Sequence, residues 1–401
     1  MKGNYFYPLN AYACYCKDEE VRLKSSSGAV FSALAEHVLE KSGIVYGVAM
    51  SEDCYSAEYI EVADESGLTK LRGSKYLQAK LGDTYNKVKE NLQAGKLVLF
   101  SGTGCQINGL KQFLGVEYEN LICVDVICHG TPSPKLWQKY VKHQELKIGG
   151  KLKAVNFRCK DDSWIGYGMC ESFEIQGQNE AAEVYTSKDD DSYMQMFLRN
   201  YCLRSSCYKC SAKENKMSDI TIADFWGIDS VAAEMNDGRG TSLVLTRTKK
   251  GQDVFDDIKT CLKIKTVTYE EGVRNNPSEY KSCDMPLQRK KFFGDMNRMS
   301  FEQLEAKYLG SRFYRLAYAV GRRVVKTKVK EMCCGCGACY AACSQKAIAM
   351  AEDEEGFLYP QIDESKCIRC NSCIKVCQMQ SCYLSDVVGR IRETNEKGIM
   401  D

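Results

Sequence analysis

Twenty-three of the 401 residues are cysteine, and their spacing is the first chemistry the sequence offers. Cys333, Cys336, Cys339 and Cys343 follow the pattern C-x2-C-x2-C-x3-C, and Cys367, Cys370, Cys373 and Cys377 repeat it. Two-residue gaps let a tight loop aim successive thiolates at one compact cluster, and the fourth cysteine of each run reaches across to the other cluster. On that logic Cys333, Cys336, Cys339 and Cys377 hold one 4Fe–4S cluster, and Cys367, Cys370, Cys373 and Cys343 hold a second. Zinc sites also use C-x-x-C pairs, but the doubled four-cysteine run, separated by AIAM and EGFLYPQID, is the pattern of bacterial two-cluster ferredoxins. Ser344 and Gln378 stand where a proline usually follows the fourth cysteine, a position that is not a ligand. Cys334 falls outside both sets.

A second group of cysteines is spread through the rest of the chain. Cys105 in GTGCQ and Cys128 in ICHGTPS each follow a predicted strand, with one helix between them. A β-α-β unit would bring both to the carboxyl edge of a parallel sheet, where open α/β sheets bind ligands. Cys105 also sits near a helix N-terminus, which favours thiolate. The loop with Cys207 and Cys210 would supply two more thiolates and complete four ligands. Spacing alone leaves this third cluster in competition with buried small hydrophobes, a zinc site and a redox dithiol at Cys207 and Cys210. Cys54, Cys123, Cys170 and Cys261 read as core or surface filler. His129 follows Cys128 and is suited either to relaying a proton or to a loop hydrogen bond. SSSG at 25–28 and GTG at 102–104 offer only weak backbone sites for a phosphate, and no dinucleotide or P-loop fingerprint is present.

The elements that must position these residues read as α/β. AVFSALAEHVLEKSG has helical apolar spacing, with Ser27 as the expected N-cap. IVYGVAM reads as a strand, KLVLFSGTGCQINGLKQFLG as strand, turn and helix, and LICVDVICHGTPSPKLWQKYVKHQ repeats that plan. Alternation of this kind predicts a mostly parallel sheet. Further strands are expected at AVNFRCK, SFEIQ, SDITIADFWGI and TSLVLTRT, with helices at SYMQMFLRNY and GQDVFDDIKTCL. The expected organisation is a body over 1–299, a basic helical connector over 300–330, a small α+β ferredoxin-like domain over 331–382 and a polar tail over 383–401.

Bulk composition narrows the class. Lys and Arg total 55 against 53 Asp and Glu, a balance that argues against nucleic acid as partner. No run approaches the apolar length of a membrane span. The first residues, MKGNYFYPLNAYACYCKDEE, contain no apolar export segment, so a cytoplasmic location is expected. An odd cysteine count in a large chain of this kind points to metal ligation rather than disulfides.

At RLKSSSGAVF, LRGSKYLQAK, VLFSGTGCQINGLK, VDVICHGTPSPKLW, NFRCKDDSWIGYG, LRSSCYKC and SDITIADFWGI the sequence resembles the coenzyme F420 hydrogenase/dehydrogenase β-subunit family. The resemblance runs from about residue 12 to 295, with the ferredoxin-like module after it rather than before it. It implies an FAD-binding α/β body and its own 4Fe–4S cluster at Cys105, Cys128, Cys207 and Cys210. It also implies that Ser27, Gly28, Ser74, Lys75, Tyr76 and Gln106 surround the flavin. Two departures stand out: Gly104 replaces a usual proline, and Ala29 replaces a common glycine. The implied function is an oxidoreductase passing electrons between ferredoxin-type clusters and FAD, and on to or from a deazaflavin or other organic substrate. Ferredoxin or a partner subunit would exchange electrons with the clusters, and Lys75 and His129 would handle substrate or protons. Two alternatives are an electron-transfer subunit without a substrate of its own and a cluster-based redox sensor.

Overall fold

The computed structural model describes residues 7–160, 164–177, 180–310, 332–363, 365–368, 370 and 372–377. Its strands are β1 (Asn10–Cys16), β2 (Ile44–Met50), β3 (Ala57–Val62), β4 (Ala79–Lys80), β5 (Val98–Thr103), β6 (Leu121–Val126), β7 (Lys151–Cys159), β8 (Gly168–Glu174), β9 (Ala182–Ser187), β10 (Ile220–Asp224), β11 (Ser242–Thr246), β12 (Leu262–Val267), β13 (Ile348–Glu352) and β14 (Leu358–Ile362). Nine of them form one sheet in the order β12-β1-β11-β10-β6-β5-β2-β3-β4. The chain therefore has the expected α/β fold, with parallel pairing through β10, β6, β5 and β2. Both flanks add antiparallel pairs: β1 lies between β11 and β12, and β3 pairs back on β2.

The central strands are short aliphatic runs buried on both faces, as a sheet covered on each side requires. One face packs against the Val30–Glu40 helix through Val30, Leu34 and Val38. The other packs against the Gly104–Leu114 helix through Ile107, Leu110 and Leu114. β5 and β6 pair from Val98 opposite Leu121 to Thr103 opposite Val126, so the residues after both strands emerge at one edge.

Beside this sheet β7, β8 and β9 form a three-stranded antiparallel layer. Here one cysteine assignment needs correction. Cys170, read as filler, is joined to Cys159 by a disulfide across the β7–β8 pair. The two positions are 11 apart in sequence, and only the hairpin brings them together.

One local reading also changes. Ser27 does not cap the first long helix: its Oγ donates to Thr241 O at 2.9 Å. The N-cap is Ala29, at φ +65°, in the left-handed region that favours glycine. The common glycine at this position is thus explained by backbone geometry, and this chain tolerates alanine there. Gly104 opens its helix directly after Thr103, at the first helical position, where proline is well suited.

The connector begins as a helix at Phe301–Tyr308, with Ser300 and Gln303 capping each other's backbone. Its basic remainder at 311–330 and the tail at 383–401 lie outside the described residues. The C-terminal segment adds the β13–β14 hairpin and two short helices, Ala338–Ala341 and Ser372–Lys375.

Candidate functional site

A cavity of about 630 Å³ opens at the carboxyl edge of the parallel strands, within the size range of small-molecule sites. Its wall takes Ser27 from one loop, Ser74, Lys75 and Tyr76 from a second, and Gln106 from the first turn of the Gly104–Leu114 helix, along with Cys105, Cys128 and His129. Gly28 is not on the wall. It packs between β1 and β11, where a Cβ would meet Cys14 O at 2.6 Å and Ser242 N at 2.9 Å. Cys207 and Cys210 sit behind the wall, on the short helical turn Ser205–Lys209 and just after it.

The side chains on this wall are held by specific bonds. Lys75 Nζ donates to the carbonyls of Lys70, Leu71 and Arg72 at 2.8–3.0 Å, closing the Glu65–Leu71 helix. Burial draws its pKa down to about 7, while the three carbonyls and the negative helix end favour the ammonium form. Gln106 Oε1 accepts from Thr103 N–H at 2.9 Å and from Tyr59 OH at 2.9 Å, so it is committed to the start of its helix. Tyr76 packs against Phe157 and Phe197. The His129 ring stands edge-on to Phe197, with Nε2 2.6 Å from Asn200 Oδ1. Asn200 Nδ2 donates to Asp284 O, which fixes its Oδ1 as the acceptor and His129 Nε2 as the donor. Burial, with Lys213 nearby, lowers the His129 pKa and favours this neutral tautomer.

The body cysteines form one electrostatic group. Burial raises the pKa of Cys128 and pushes Cys207 up to about 12, and each responds to the charge of the other cysteines. Cys210 is raised by burial and then by Cys105. Cys105 goes the other way. A hydrogen bond from Cys334 draws it down to about 7 against the effect of burial, helped by Thr103 and the charge of Arg204. Cys207 Sγ accepts from Thr131 N–H at 3.3 Å. Among the described residues no three His, Cys, Asp or Glu side chains converge as the ligands of a single metal ion do. Four cysteine sulfurs are the kind of donor that an iron–sulfur cubane takes, and Cys128 senses the charges of Cys105, Cys207 and Cys210.

In the C-terminal segment, Cys343, Cys367, Cys370 and Cys373 line one small cavity, with Ala347, Ile348 and Ile362 around them. These are the four cysteines assigned to one cluster by the crossed ligand pattern. Cys339 is raised by burial and by the charges of Cys336, Cys333 and Cys373. Cys336 packs against the Gly104–Leu114 helix, where a Cβ on Gly109 would meet its Sγ at 3.0 Å. Cys377 packs with Cys339, Cys343 and Cys373 around Ile348.

Several residues that the motifs did not single out shape the site. Arg158 lines the cavity, pairs with Asp224 at 2.9 Å and lies 3.7 Å over the Tyr167 ring. Lys160 Nζ donates to the carbonyls of Arg22, Ser27 and Arg239, tying the Ser25–Gly28 loop down. Arg204 and Gln78 reach the C-terminal segment, and Cys334 and Gly335 of that segment line the cavity. Both Arg158 and Lys160 lie within NFRCK, where two cations in a predicted strand were the only available signal.

The comparison with known proteins follows this geometry. Residues 11–84 match the family model described as the N-terminal part of the coenzyme F420 hydrogenase/dehydrogenase beta subunit, and residues 95–272 match its C-terminal part. Together they cover more than half of the sequence. The chain belongs to the coenzyme F420 hydrogenase/dehydrogenase beta subunit family. Residues 332–381 match a 4Fe–4S dicluster domain, so this family member is an iron–sulfur protein of electron-transfer type. A curated relative, the coenzyme F420-dependent sulfite reductase of Methanocaldococcus jannaschii, is 22% identical over 244 residues. That match spans 59% of this chain and 35% of the relative's own length. A solved chain of the F420-reducing [NiFe] hydrogenase complex from Methanosarcina barkeri matches with a TM-score of 0.46 and 15% identity, over 74% of this chain and 94% of that one. Among the described residues no helix is long and apolar enough to cross a membrane.

Proposed function

We propose that this beta-subunit family member is a flavin-dependent oxidoreductase in which FAD occupies the 630 Å³ cavity, beside a body cluster held by Cys105, Cys128, Cys207 and Cys210. The observation that carries the reading is the composition of that cavity wall. Ser27, Ser74, Tyr76, Cys105, Cys128 and the C-terminal residues Cys334 and Gly335 come from distant parts of the chain and face one space. When bound, a flavin supplies the exchange between single electrons and hydride, and iron–sulfur clusters supply single-electron steps.

The chain's own residues have separate tasks in this reading. Lys160 and the Ser26–Ser74 hydrogen bond at 3.0 Å shape the phosphate-facing loops. Lys75 spends its three donors on carbonyls and is a positioning residue for the 72–79 loop. His129, with hydrogen on Nε2, keeps Nδ1 as the nitrogen able to accept a proton. An organic substrate, a deazaflavin among the candidates, would enter the part of the cavity bordered by Tyr167 and Trp226. A ferredoxin or partner subunit would dock at the far cluster, where Cys370 is exposed and Ile368 presents an apolar side chain to solvent. The proposed setting is the cytoplasm.

Chemical analysis of anaerobically prepared protein tests this. About 12 iron per chain are expected for three cubanes, together with FAD released on denaturation. About 8 iron would remove the body cluster. Absence of FAD after reconstitution would leave a pure electron-transfer subunit.

A further inference from the structure

We infer that the Cys334 thiol is the bridge between the two cluster-bearing parts of the chain, standing on the same cavity wall as Cys105 of the body and two positions before Cys336. The inference rests on the proposed reading, in which Cys105 and Cys336 are ligands of different clusters. Cys334 is outside the repeated spacing and is not needed to complete either C-terminal ligand set. The structure nevertheless places it on the cavity wall with Cys105.

Its position is built by neighbouring contacts. Arg204 Nε donates to Cys333 O at 2.7 Å and fixes the backbone just before Cys334. Gly335 takes φ +64°, turning the chain between Cys334 and Cys336. A Cβ there would meet Arg204 Nη1 and Gln78 Nε2, each at 2.8 Å. On the facing helix, Gly109 leaves room for Cys336. Two glycines and one arginine thus allow the body and the C-terminal segment to close around a single thiol.

The chemistry follows from what neighbours it. A thiol between two metal-bound thiolates has one hydrogen to give, and a hydrogen bond to a cluster sulfur stabilises the reduced cluster. In the electron transfer itself one cluster loses one electron and the other gains it. No bond is made or broken, and Cys334 keeps its proton. Cys334 is therefore a positioning residue that tunes the body cluster and shortens the path through sulfur from Cys105 to Cys336.

The test is a redox titration of the full anaerobic protein, followed by electron paramagnetic resonance, with iron counted in each sample. Cys334→Ala should keep the wild-type iron content and shift the body-cluster midpoint to lower potential. Cys334→Ser, which retains a donor, should restore most of the shift. An unchanged midpoint in Cys334→Ala at full iron content would overturn the bridge. Loss of a cluster's worth of iron in that variant would also overturn it, by making Cys334 a ligand. About 8 iron in the wild type would fail the body-cluster reading itself and remove the inference with it.

Discussion

Arg204, buried in the body, donates its Nε–H to the carbonyl oxygen of Cys333 at 2.7 Å, directly joining the α/β sheet's loops to the first cysteine of the dicluster domain. The same guanidinium donates to Leu358 O at 3.0 Å and lies 4.1 Å over the Tyr359 ring. Hydrogen bonds from a charged group are worth about 1.5–3 kcal/mol each, and removing one partner leaves buried carbonyls unmatched. Arg204→Gln is therefore expected to weaken docking of the dicluster domain by about 3 kcal/mol. Hydrogen exchange should show faster exchange across 332–363 and at the cavity wall, with the distant β1–β12 pair unchanged. Arg204→Lys should rescue little, because an ammonium cannot reproduce the planar fork.

Much of the core site was legible because its signal is local. The eight C-terminal cysteines announce themselves by spacing, and Cys105 and Cys128 follow strands whose parallel pairing the structure bears out. What escaped depends on long-range contact. β1, NAYACYC, is buried on both faces and lacks alternation, so its place between β11 and β12 has no local sign. The Cys159–Cys170 disulfide needs a hairpin register, and Cys334 has meaning only once Cys105 lies against it. Arg204 belongs to LRSSCYKC, yet nothing around it in sequence points to residues 333 and 358, well over a hundred positions away.

Lys160 offers a separate test of the Ser25–Gly28 loop. Its Nζ meets Arg22 O at 3.0 Å, Ser27 O at 2.8 Å and Arg239 O at 2.9 Å. Lys160→Met would leave three carbonyls without their common donor and loosen the Ser25–Gly28 wall. FAD affinity, measured by quenching of flavin fluorescence, should fall about tenfold, equivalent to about 1.4 kcal/mol. Iron content should stay at the wild-type value, because the partners of Lys160 Nζ are the carbonyls of Arg22, Ser27 and Arg239 and not cysteine sulfurs.

A buried acid pair away from the cavity makes stability depend on pH. Tyr140 OH is 3.0 Å from Glu171 Oε2 and 2.7 Å from Asp191 Oδ2, but a phenol has only one hydrogen to donate. A proton on one of the carboxyls lets both contacts be hydrogen bonds. Burial, reinforced by Asp191, raises Glu171 to about 8, and burial raises Asp191 to about 6. Unfolded carboxyls titrate near ~4, so the folded chain retains protons that the unfolded chain releases. Their contribution to stability is full below about pH 4 and is lost as pH rises through 6 to 8. Glu171→Gln should flatten this loss and stabilise the protein by about 2 kcal/mol at pH 8–9, with little change at pH 5. Denaturant melts at the two pH values check the sign.

The central claim is that the cavity walled by both parts of the chain holds the flavin, and binding of FAD to a cavity-filled variant tests it most directly. Ser74 lines that cavity beside Ser26, to which it is hydrogen-bonded, so Ser74→Trp places an indole where the flavin would sit. In anaerobically reconstituted protein of matched iron content, wild type should quench and retain FAD, and Ser74→Trp should bind it at least about tenfold more weakly. Equal FAD binding by the two proteins, at equal iron, would contradict the account.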